Sequence, residues 1–156
     1  QQVVHHAVDT ELFKPNGSER KPIVLTVAND FKNRDYCLNY SGWERITNGI
    51  DAKVVGTSPD GLSEPASSVE ELVNEYASSQ VYLNTTTVSP IPTSLLEAMA
   101  CGCAVVTTAT CMIPEIVKNG ENGYISNDPI KLRKYVERLL SDEKLATKQK
   151  HKGIYH

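Results

Sequence analysis

Short apolar runs alternate with helical segments along most of this chain of 156 residues. Five runs are continuous and partly β-branched, which is typical of buried strands in a parallel sheet. They cover residues 23–28, 52–56, 80–84, 103–107 and 124–125. Helices are predicted at 35–47, after Ser68, between Pro92 and Gly102, for one turn at 114–118, after Asp128 and at 142–150. This alternation predicts an α/β fold, a parallel sheet with helices on both faces.

Composition narrows the class of protein. Hydrophobic residues make up 40% and charged residues 22%, as in an ordinary globular domain with one core. A net charge of −3 argues against nucleic acid as a partner, because a phosphate binder usually carries a basic face. No apolar run approaches the ~20 residues of a membrane span. No G-x-G-x-x-G follows the first predicted strand, which counts against an enzyme that uses NAD.

The four cysteines, Cys37, Cys101, Cys103 and Cys111, do not have the paired spacing of a metal site. We interpret them as small buried thiols, with metal or disulfide roles as minor alternatives. No metal and no cofactor are expected. Free thiols indicate a reducing compartment, so a cytoplasmic location is expected, or a peripheral membrane location within a longer parent chain.

The segment from Pro90 to Gly102 contains the most unusual helix. Leucine, alanine and methionine leave it no clean polar face, so it is predicted to be buried and to end at Gly102. Glu97 is its one charge and therefore needs a partner. Ser94 and Glu97 have the spacing of a capping box. Alternatively, Glu97 is a ligand carboxylate that accepts hydrogen bonds from sugar hydroxyls, and spacing alone leaves both interpretations open.

Three stretches of sequence carry a family resemblance. PTSLLEAMACGCAVV at 92–106 resembles the signature of the family-four retaining glycosyltransferases, which have the GT-B fold. IPEIV at 113–117 and NGENG at 119–123 are similar to that family's downstream segment, and AVDTELFKP at 7–15 is similar to its interdomain linker. The resemblance implies a Rossmann-like domain that forms one half of a GT-B enzyme. Residues 1–22 would be linker and 23–156 the nucleotide-sugar-binding domain, with the acceptor domain absent.

The resemblance also implies a binding site at the carboxyl edge of the sheet. Asn29 and Arg34 stand where the family has an arginine and a lysine that contact the diphosphate, and Arg34 keeps the charge. Thr93 and Ser94, at the start of the signature helix, can offer backbone N–H groups and hydroxyls to the phosphates.

Three further residues complete the implied site. Glu97 becomes the carboxylate that binds the ribose, and the base is expected near Ser67. Ser89 occupies the position of the first glutamate of the family's E-x7-E motif, beside the transferred sugar, and is therefore the candidate catalytic position.

The leading functional hypothesis is the donor-binding half of a retaining hexosyltransferase, inactive as an isolated fragment. Its partners would be a nucleoside-diphosphate sugar, the N-terminal acceptor domain of a parent chain, and a glycan or lipid acceptor. Ser89 and Asn29 favour an alternative, a noncatalytic sugar-nucleotide-binding or partner-binding module with a degenerate site. A sugar-nucleotide epimerase shares the fold, but the linker and the signature argue against it.

Overall fold

The computed structural model of the protein describes residues 8–88 and 92–141. Ser89 and the helix predicted at 142–150 lie outside the described residues. The strands are β1 (Lys21–Val27), β2 (Ala52–Val55), β3 (Ser79–Asn84), β4 (Ala104–Thr107) and β5 (Tyr124–Ile125). The helices are α1 (Asp35–Leu38), α2 (Tyr40–Thr47), α3 (Val69–Ser78), α4 (Thr93–Ala100) and α5 (Pro129–Ser141), with a 3₁₀ turn at Ile113–Glu115. None of the described helices combines the length and apolar character needed to cross a membrane.

All five strands are parallel, in the order β2-β1-β3-β4-β5. Successive side chains of a strand alternate between two core clusters. Tyr82 packs with residues of α3 and α4, whereas its neighbours Val81 and Leu83 pack with residues of α2 and α5. The central strand β3 is buried along its whole length, as expected for a parallel strand covered on both faces. The predicted α/β fold with helices on both faces is confirmed.

The single helix predicted at 35–47 is wrong, because the chain breaks at Asn39. Asn39 has a left-handed backbone (φ 59°), which ends α1, and its side-chain Oδ1 caps α2 by accepting from Gly42 N–H at 3.1 Å. Asparagine tolerates this conformation better than most residues, and it is also a preferred N-cap. Tyr36, on the short helix α1, is 78% exposed.

The predicted end of the signature helix is confirmed. Gly102 has a φ of +87°, and the N–H of Gly102 donates to Met99 O at 3.1 Å while that of Cys103 donates to Ala98 O at 3.0 Å. These two bonds form a Schellman motif, which satisfies carbonyls that the helix end leaves open. The chain can then turn directly into β4.

Residues 8–20, within the predicted linker, pack on the sheet domain, and Phe13 and Arg20 make the main contacts. Phe13 is buried against the ring of Tyr76, with centroids 6.1 Å apart. The Arg20 guanidinium donates to the carbonyls of Tyr76 (2.9 Å), Ser79 (2.8 Å) and Cys101. It therefore joins the end of α3, the start of β3 and the end of α4 at the amino edge of the sheet.

The thiols only partly match expectation. All four are thiols outside any disulfide, and Cys37, Cys101 and Cys103 are buried. Cys111 is exposed, in a left-handed turn (φ 51°) after β4, so its assignment as a buried thiol is wrong. Its turn belongs to the loop that follows β4 at the carboxyl edge of the sheet.

Candidate functional site at the carboxyl edge of the sheet

The strand order determines where a crevice forms. From β1 the chain passes to β2 on one side, and β3 then returns to the other side of β1. Loops that leave β1 and β3 therefore diverge, and ligands of open α/β sheets bind outside such a switch point. The loop after β1 carries Asn29 and Arg34, and the chain after β3 leads to α4 with Thr93, Ser94 and Glu97.

Asn29 is exposed but its side chain is already used. Its Oδ1 accepts a hydrogen bond from Thr57 N–H at 2.9 Å, which ties the loop after β1 to the loop after β2. The two loops approach closely because residue 56 is glycine: a Cβ on Gly56 would lie 2.0 Å from Ala28 O. Asn29 thus has a structural contact at the position where the family places a cation.

Arg34 is an exposed cation at the start of α1. The one hydrogen bond of its guanidinium in the described residues is a long contact of 3.5 Å from Nη1 to Asn29 O. Neither of the two ion pairs found in the described residues involves it. The guanidinium can therefore turn toward an anion without breaking a strong interaction.

Glu97 is half-buried in the second turn of α4. Its Oε1 accepts a hydrogen bond from the Tyr76 hydroxyl at 2.8 Å. Burial raises the pKa of Glu97, and the Tyr76 hydrogen bond opposes that rise. No side-chain hydrogen bond caps α4, whose N-cap residue is Pro92, so the capping-box alternative is wrong. Within the described residues Oε2 accepts no hydrogen bond, which leaves it available to a ligand.

The start of α4 presents backbone donors to the same edge. Proline at the N-cap supplies no donor, and among described residues the N–H groups of Thr93 and Ser94 have no hydrogen-bond acceptor. Open amides at a helix N-terminus favour an anion. The Thr93 side chain is exposed, and that of Ser94 is half-buried.

A buried tyrosine orients Ser94. The Tyr82 hydroxyl lies 2.8 Å from Ser94 Oγ and 3.3 Å from Val27 O, to which it can donate, and accepts from Val27 N–H at 3.2 Å. Burial raises the pKa of Tyr82 to about 12, so the hydroxyl stays neutral. The helix start is thereby attached to the end of β1, on the side where Asn29 and Arg34 follow.

Ser67 is engaged within its own loop. Its hydroxyl donates to Glu71 Oε2 at 2.6 Å and its N–H to Glu71 Oε1 at 3.3 Å, and these bonds lower the pKa of Glu71. Ser68 caps α3 by accepting from Glu71 N–H at 3.1 Å, which confirms the predicted helix start. Ser67 is exposed at the carboxyl edge, but no described contact joins it to Arg34 or Glu97.

Buried threonines hold the loops that follow β3 and β4. Thr108 Oγ1 donates to Thr86 O at 2.6 Å, and Thr85 Oγ1 donates to Leu38 O at 2.8 Å. The N–H of Thr87 donates to Cys37 O at 2.9 Å. The loop after β3 is therefore attached to the junction of α1 and α2 on one side and to the β4 loop on the other.

The sequence did not predict the roles of Tyr76 and Tyr82. A buried tyrosine hydroxyl usually finds a hydrogen-bond partner. That requirement was the available signal, because Glu97 was the nearby charge in need of a donor. No cluster of three histidine, cysteine, aspartate or glutamate side chains suited to a metal occurs in the part of the chain described.

Comparison with known proteins gives one family. The model of the glycosyl transferases group 1 family matches residues 65–155. No curated protein sequence matches the chain significantly.

Several solved structures share the fold. The C-terminal domain of the glycosyl transferase group 1 family protein LpcC from Francisella tularensis has a TM-score of 0.67 and 19% identity, over 96% of this chain and 95% of that one. Anabaena HepE in complex with UDP has a TM-score of 0.76 and 16% identity, over 99% of this chain and 51% of that one. Sucrose-phosphate synthase from Thermosynechococcus elongatus has a TM-score of 0.75 and 17% identity, over 96% and 46%. This chain thus spans about half of each of the latter two proteins.

Proposed function

This chain belongs to the glycosyl transferases group 1 family, and on that premise we propose that it is the donor-binding domain of a retaining GT-B glycosyltransferase. The donor is a nucleoside-diphosphate sugar. The acceptor is a glycan or lipid held by an N-terminal domain of a longer parent chain. The similar Anabaena HepE structures contain UDP and UDP-glucose, which makes UDP-glucose the first donor to test.

The observation that carries the proposal is the state of Glu97. A half-buried carboxylate is costly unless it has partners, and only Oε1 has one in the described residues, the Tyr76 hydroxyl. Two adjacent ribose hydroxyls would supply donors to Oε2. Glu97 would then hold the nucleoside through charge-assisted hydrogen bonds, which are stronger than neutral ones.

The diphosphate has a separate set of partners in this proposal. Arg34 supplies an exposed guanidinium, and the N–H groups of Thr93 and Ser94 supply hydrogen-bond donors at the positive end of α4. In retaining transfer, negative charge grows on this diphosphate as the bond to the sugar breaks. Hydrogen-bond donors that are already in place stabilise that charge without reorganising. This domain would therefore act mainly by stabilising the leaving group.

The proposed chemistry uses neither a metal nor a cofactor. Two further residues, Ser67 and Ser89, complete the proposed contacts with the donor. Ser67 would approach the base through its carbonyl, because Glu71 engages its hydroxyl and its N–H. Ser89 stands at the position where the family has a carboxylate beside the transferred sugar.

A noncatalytic binding module is the second candidate, and Asn29 is the observation that favours it. Asn29 replaces a family cation, and its Oδ1 is occupied by Thr57 N–H. A domain with one cation fewer at the diphosphate can bind a donor yet stabilise the leaving group less. Transfer by the longer parent chain separates this candidate from the first.

The test is a calorimetric binding screen of the chain against UDP, GDP, ADP, CMP and dTDP sugars. Glu97→Gln should weaken the best ligand roughly ten- to hundredfold, since a hydrogen bond to a charged group contributes about 1.5–3 kcal/mol. Glu44→Gln is the matched control, because Glu44 also accepts a tyrosine hydroxyl, from Tyr40 at 3.3 Å, on α2. If no sugar nucleotide binds, the proposed function is wrong.

A further inference from the structure

We infer that Tyr76 is a positioning residue for the donor, whose hydroxyl holds the Glu97 carboxylate in the orientation that receives the ribose. This inference rests on the proposed function, in which Glu97 binds the nucleoside. It adds a residue on α3, 21 positions earlier in the chain, that has no contact with the donor in this scheme.

Tyr76 is suited to this role because its own position is fixed. The side chain is fully buried, and its ring lies 6.1 Å from that of Phe13 and 5.9 Å from that of Tyr82. Its backbone carbonyl accepts from Arg20 Nη1 at 2.9 Å and from Cys103 Sγ at 2.9 Å. Because the Tyr76 hydroxyl is fixed, its hydrogen bond favours one orientation of the Glu97 carboxylate.

The flexible side chain of Glu97 gains from a fixed hydrogen-bond partner. A glutamate side chain has several rotatable bonds, and ordering such a side chain at the moment of binding weakens affinity. The hydrogen bond from Tyr76 takes Oε1 and leaves Oε2 open, so part of that ordering is already complete before the donor arrives. Support of a binding side chain by a locked neighbour is what preorganises a site.

Glu97 is the one carboxylic acid among the titratable groups that interact with it in the described residues, and burial raises its pKa. The titratable groups that interact with Glu97 in the described residues are Tyr76 on α3, Tyr82 on β3 and Cys101 beyond α4. Arg20 and Cys103 lie one step further away, because they interact with Cys101. Burial raises the pKa of Tyr82 and of Cys101 to about 12 and that of Tyr76 still further, so these groups stay neutral. The hydrogen bond from Tyr76 favours the ionised carboxylate, so its loss must raise the pKa of Glu97.

The experiment is a double-mutant cycle of Tyr76→Phe and Glu97→Gln on the full chain. Phenylalanine keeps the buried ring and removes only the hydroxyl. Binding of UDP-glucose, or of the sugar nucleotide that the screen selects, is measured by calorimetry from neutral to mildly acidic pH. Carboxyl NMR on ¹³C-labelled glutamate follows the Glu97 titration in the absence of donor. Tyr40→Phe is the matched control, because it removes a hydroxyl that donates to an exposed glutamate on α2.

Tyr76→Phe should weaken binding about three- to tenfold at neutral pH, the range of a typical hydrogen bond. In the Glu97→Gln background the same change should have a much smaller effect. The pH at which binding is lost should move upward in Tyr76→Phe, together with the Glu97 titration in the NMR spectra. Tyr40→Phe should change neither.

Each contrary result has a distinct meaning. If Tyr76→Phe lowers the melting temperature but leaves affinity and the Glu97 titration unchanged, Tyr76 is only structural and the inference is wrong. Equal losses in the wild-type and Glu97→Gln backgrounds also overturn it. If Glu97→Gln itself leaves affinity unchanged, the role of Glu97 in the proposed function fails, and the inference fails with it.

Discussion

The contacts of Arg34 fit a role in phosphate binding and not a role in stabilising the fold. It is exposed, and its long contact with Asn29 O is weak, so removing the side chain should leave the fold almost unchanged. Arg34→Ala should lower the affinity for UDP roughly tenfold or more, since a charge-assisted hydrogen bond contributes about 1.5–3 kcal/mol. The affinity for uridine, which has no phosphate, should stay unchanged. Calorimetry with both ligands measures the difference. Arg45→Ala, at an exposed arginine on α2, is the control, and equal losses for UDP and uridine would exclude a phosphate contact by Arg34.

Glu97→Gln should raise the stability of the fold at neutral pH although it weakens donor binding. Burial raises its pKa, so the folded protein holds this proton more tightly than the unfolded chain does. The stability cost of the ionised form is therefore absent below the unfolded pKa and is complete once the pH exceeds the raised folded pKa. Glu97→Gln removes that cost and keeps a carbonyl acceptor for Tyr76.

Thermal melts at two pH values test this effect. The melting temperature of Glu97→Gln should exceed that of the wild type at neutral pH, and the difference should vanish in acid below the ordinary glutamate pKa. Glu44→Gln, on the exposed surface of α2, provides the reference. A difference of the same size at both pH values would contradict the linkage, because it would not come from ionisation of Glu97.

The partner of Glu97 illustrates what local sequence cannot reveal. The spacing of Ser94 and Glu97 fits a capping box, but each side chain instead bonds to a tyrosine from another element. Both tyrosines lie inside the core, where their hydroxyls need partners, and Ser94 and Glu97 are within reach. The need of Glu97 for a partner was predictable from its apolar surroundings, but the identity of that partner depended on how α3 packs beside α4.

At the scale of the elements, Gly56 controls how closely the ends of β1 and β2 approach. It has a φ of +144°, and a Cβ there would overlap Ala28 O at 2.0 Å. Gly49 has a positive φ of +78° as well, but a Cβ there would meet no atom within 4 Å. Gly49→Ala therefore measures backbone strain alone, about 1–2 kcal/mol.

Gly56→Ala should reduce the free energy of unfolding by roughly 1–3 kcal/mol more than Gly49→Ala does, because a φ of +144° suits almost only glycine and because the extra carbon is forced into a filled space. Chemical denaturation of both variants gives the comparison. The overlap also lies beside Asn29 Oδ1, which would be 3.1 Å from the new carbon, so donor affinity should fall with stability. Equal destabilisation by the two substitutions would mean that the strand ends can separate freely.

The elements themselves were largely readable from sequence. Strand positions follow from continuous apolar runs, although β1 begins at Lys21 rather than at residue 23 because backbone pairing with Ser79 extends beyond the apolar stretch. The break between α1 and α2 was missed because the apolar period continues across it. Asn39 and Asp35 decide the break: Asp35 accepts from the N–H and the hydroxyl of Ser41, at 2.7 and 2.9 Å, and these bonds also lower the pKa of Asp35.

At the scale of the whole molecule, alternation of strands and helices sufficed to predict the layers, and the capping residues Ser68 and Gly102 marked helix ends correctly. Composition could not reveal how residues 8–20 pack, because Phe13 and Arg20 belong to a mostly polar stretch. Their contacts depend on Tyr76 and on carbonyls at the amino edge of the sheet, which come together only after folding.

The last prediction concerns activity: the 156-residue chain should bind a nucleoside-diphosphate sugar but transfer nothing. The proposed donor groups are Arg34, the amides of Thr93 and Ser94, and Glu97, all at one edge of the sheet. In the proposed GT-B enzyme, a second domain holds the acceptor hydroxyl near the anomeric carbon, and this positioning can supply roughly 7–11 kcal/mol of the barrier. The chain spans about half of HepE and of sucrose-phosphate synthase, so we do not expect it to provide the acceptor-binding domain.

Slow hydrolysis of the donor by water is the most activity that we expect from it. The measurement is incubation with radiolabelled UDP-glucose, or the donor selected by the binding screen, and a panel of glycan and lipid acceptors, followed by separation of labelled products. Glu97→Gln is run in parallel, because it should also slow any hydrolysis that depends on bound donor. Robust transfer by the 156-residue chain alone would show that it contains its own acceptor site, and the two-domain proposal would then be wrong.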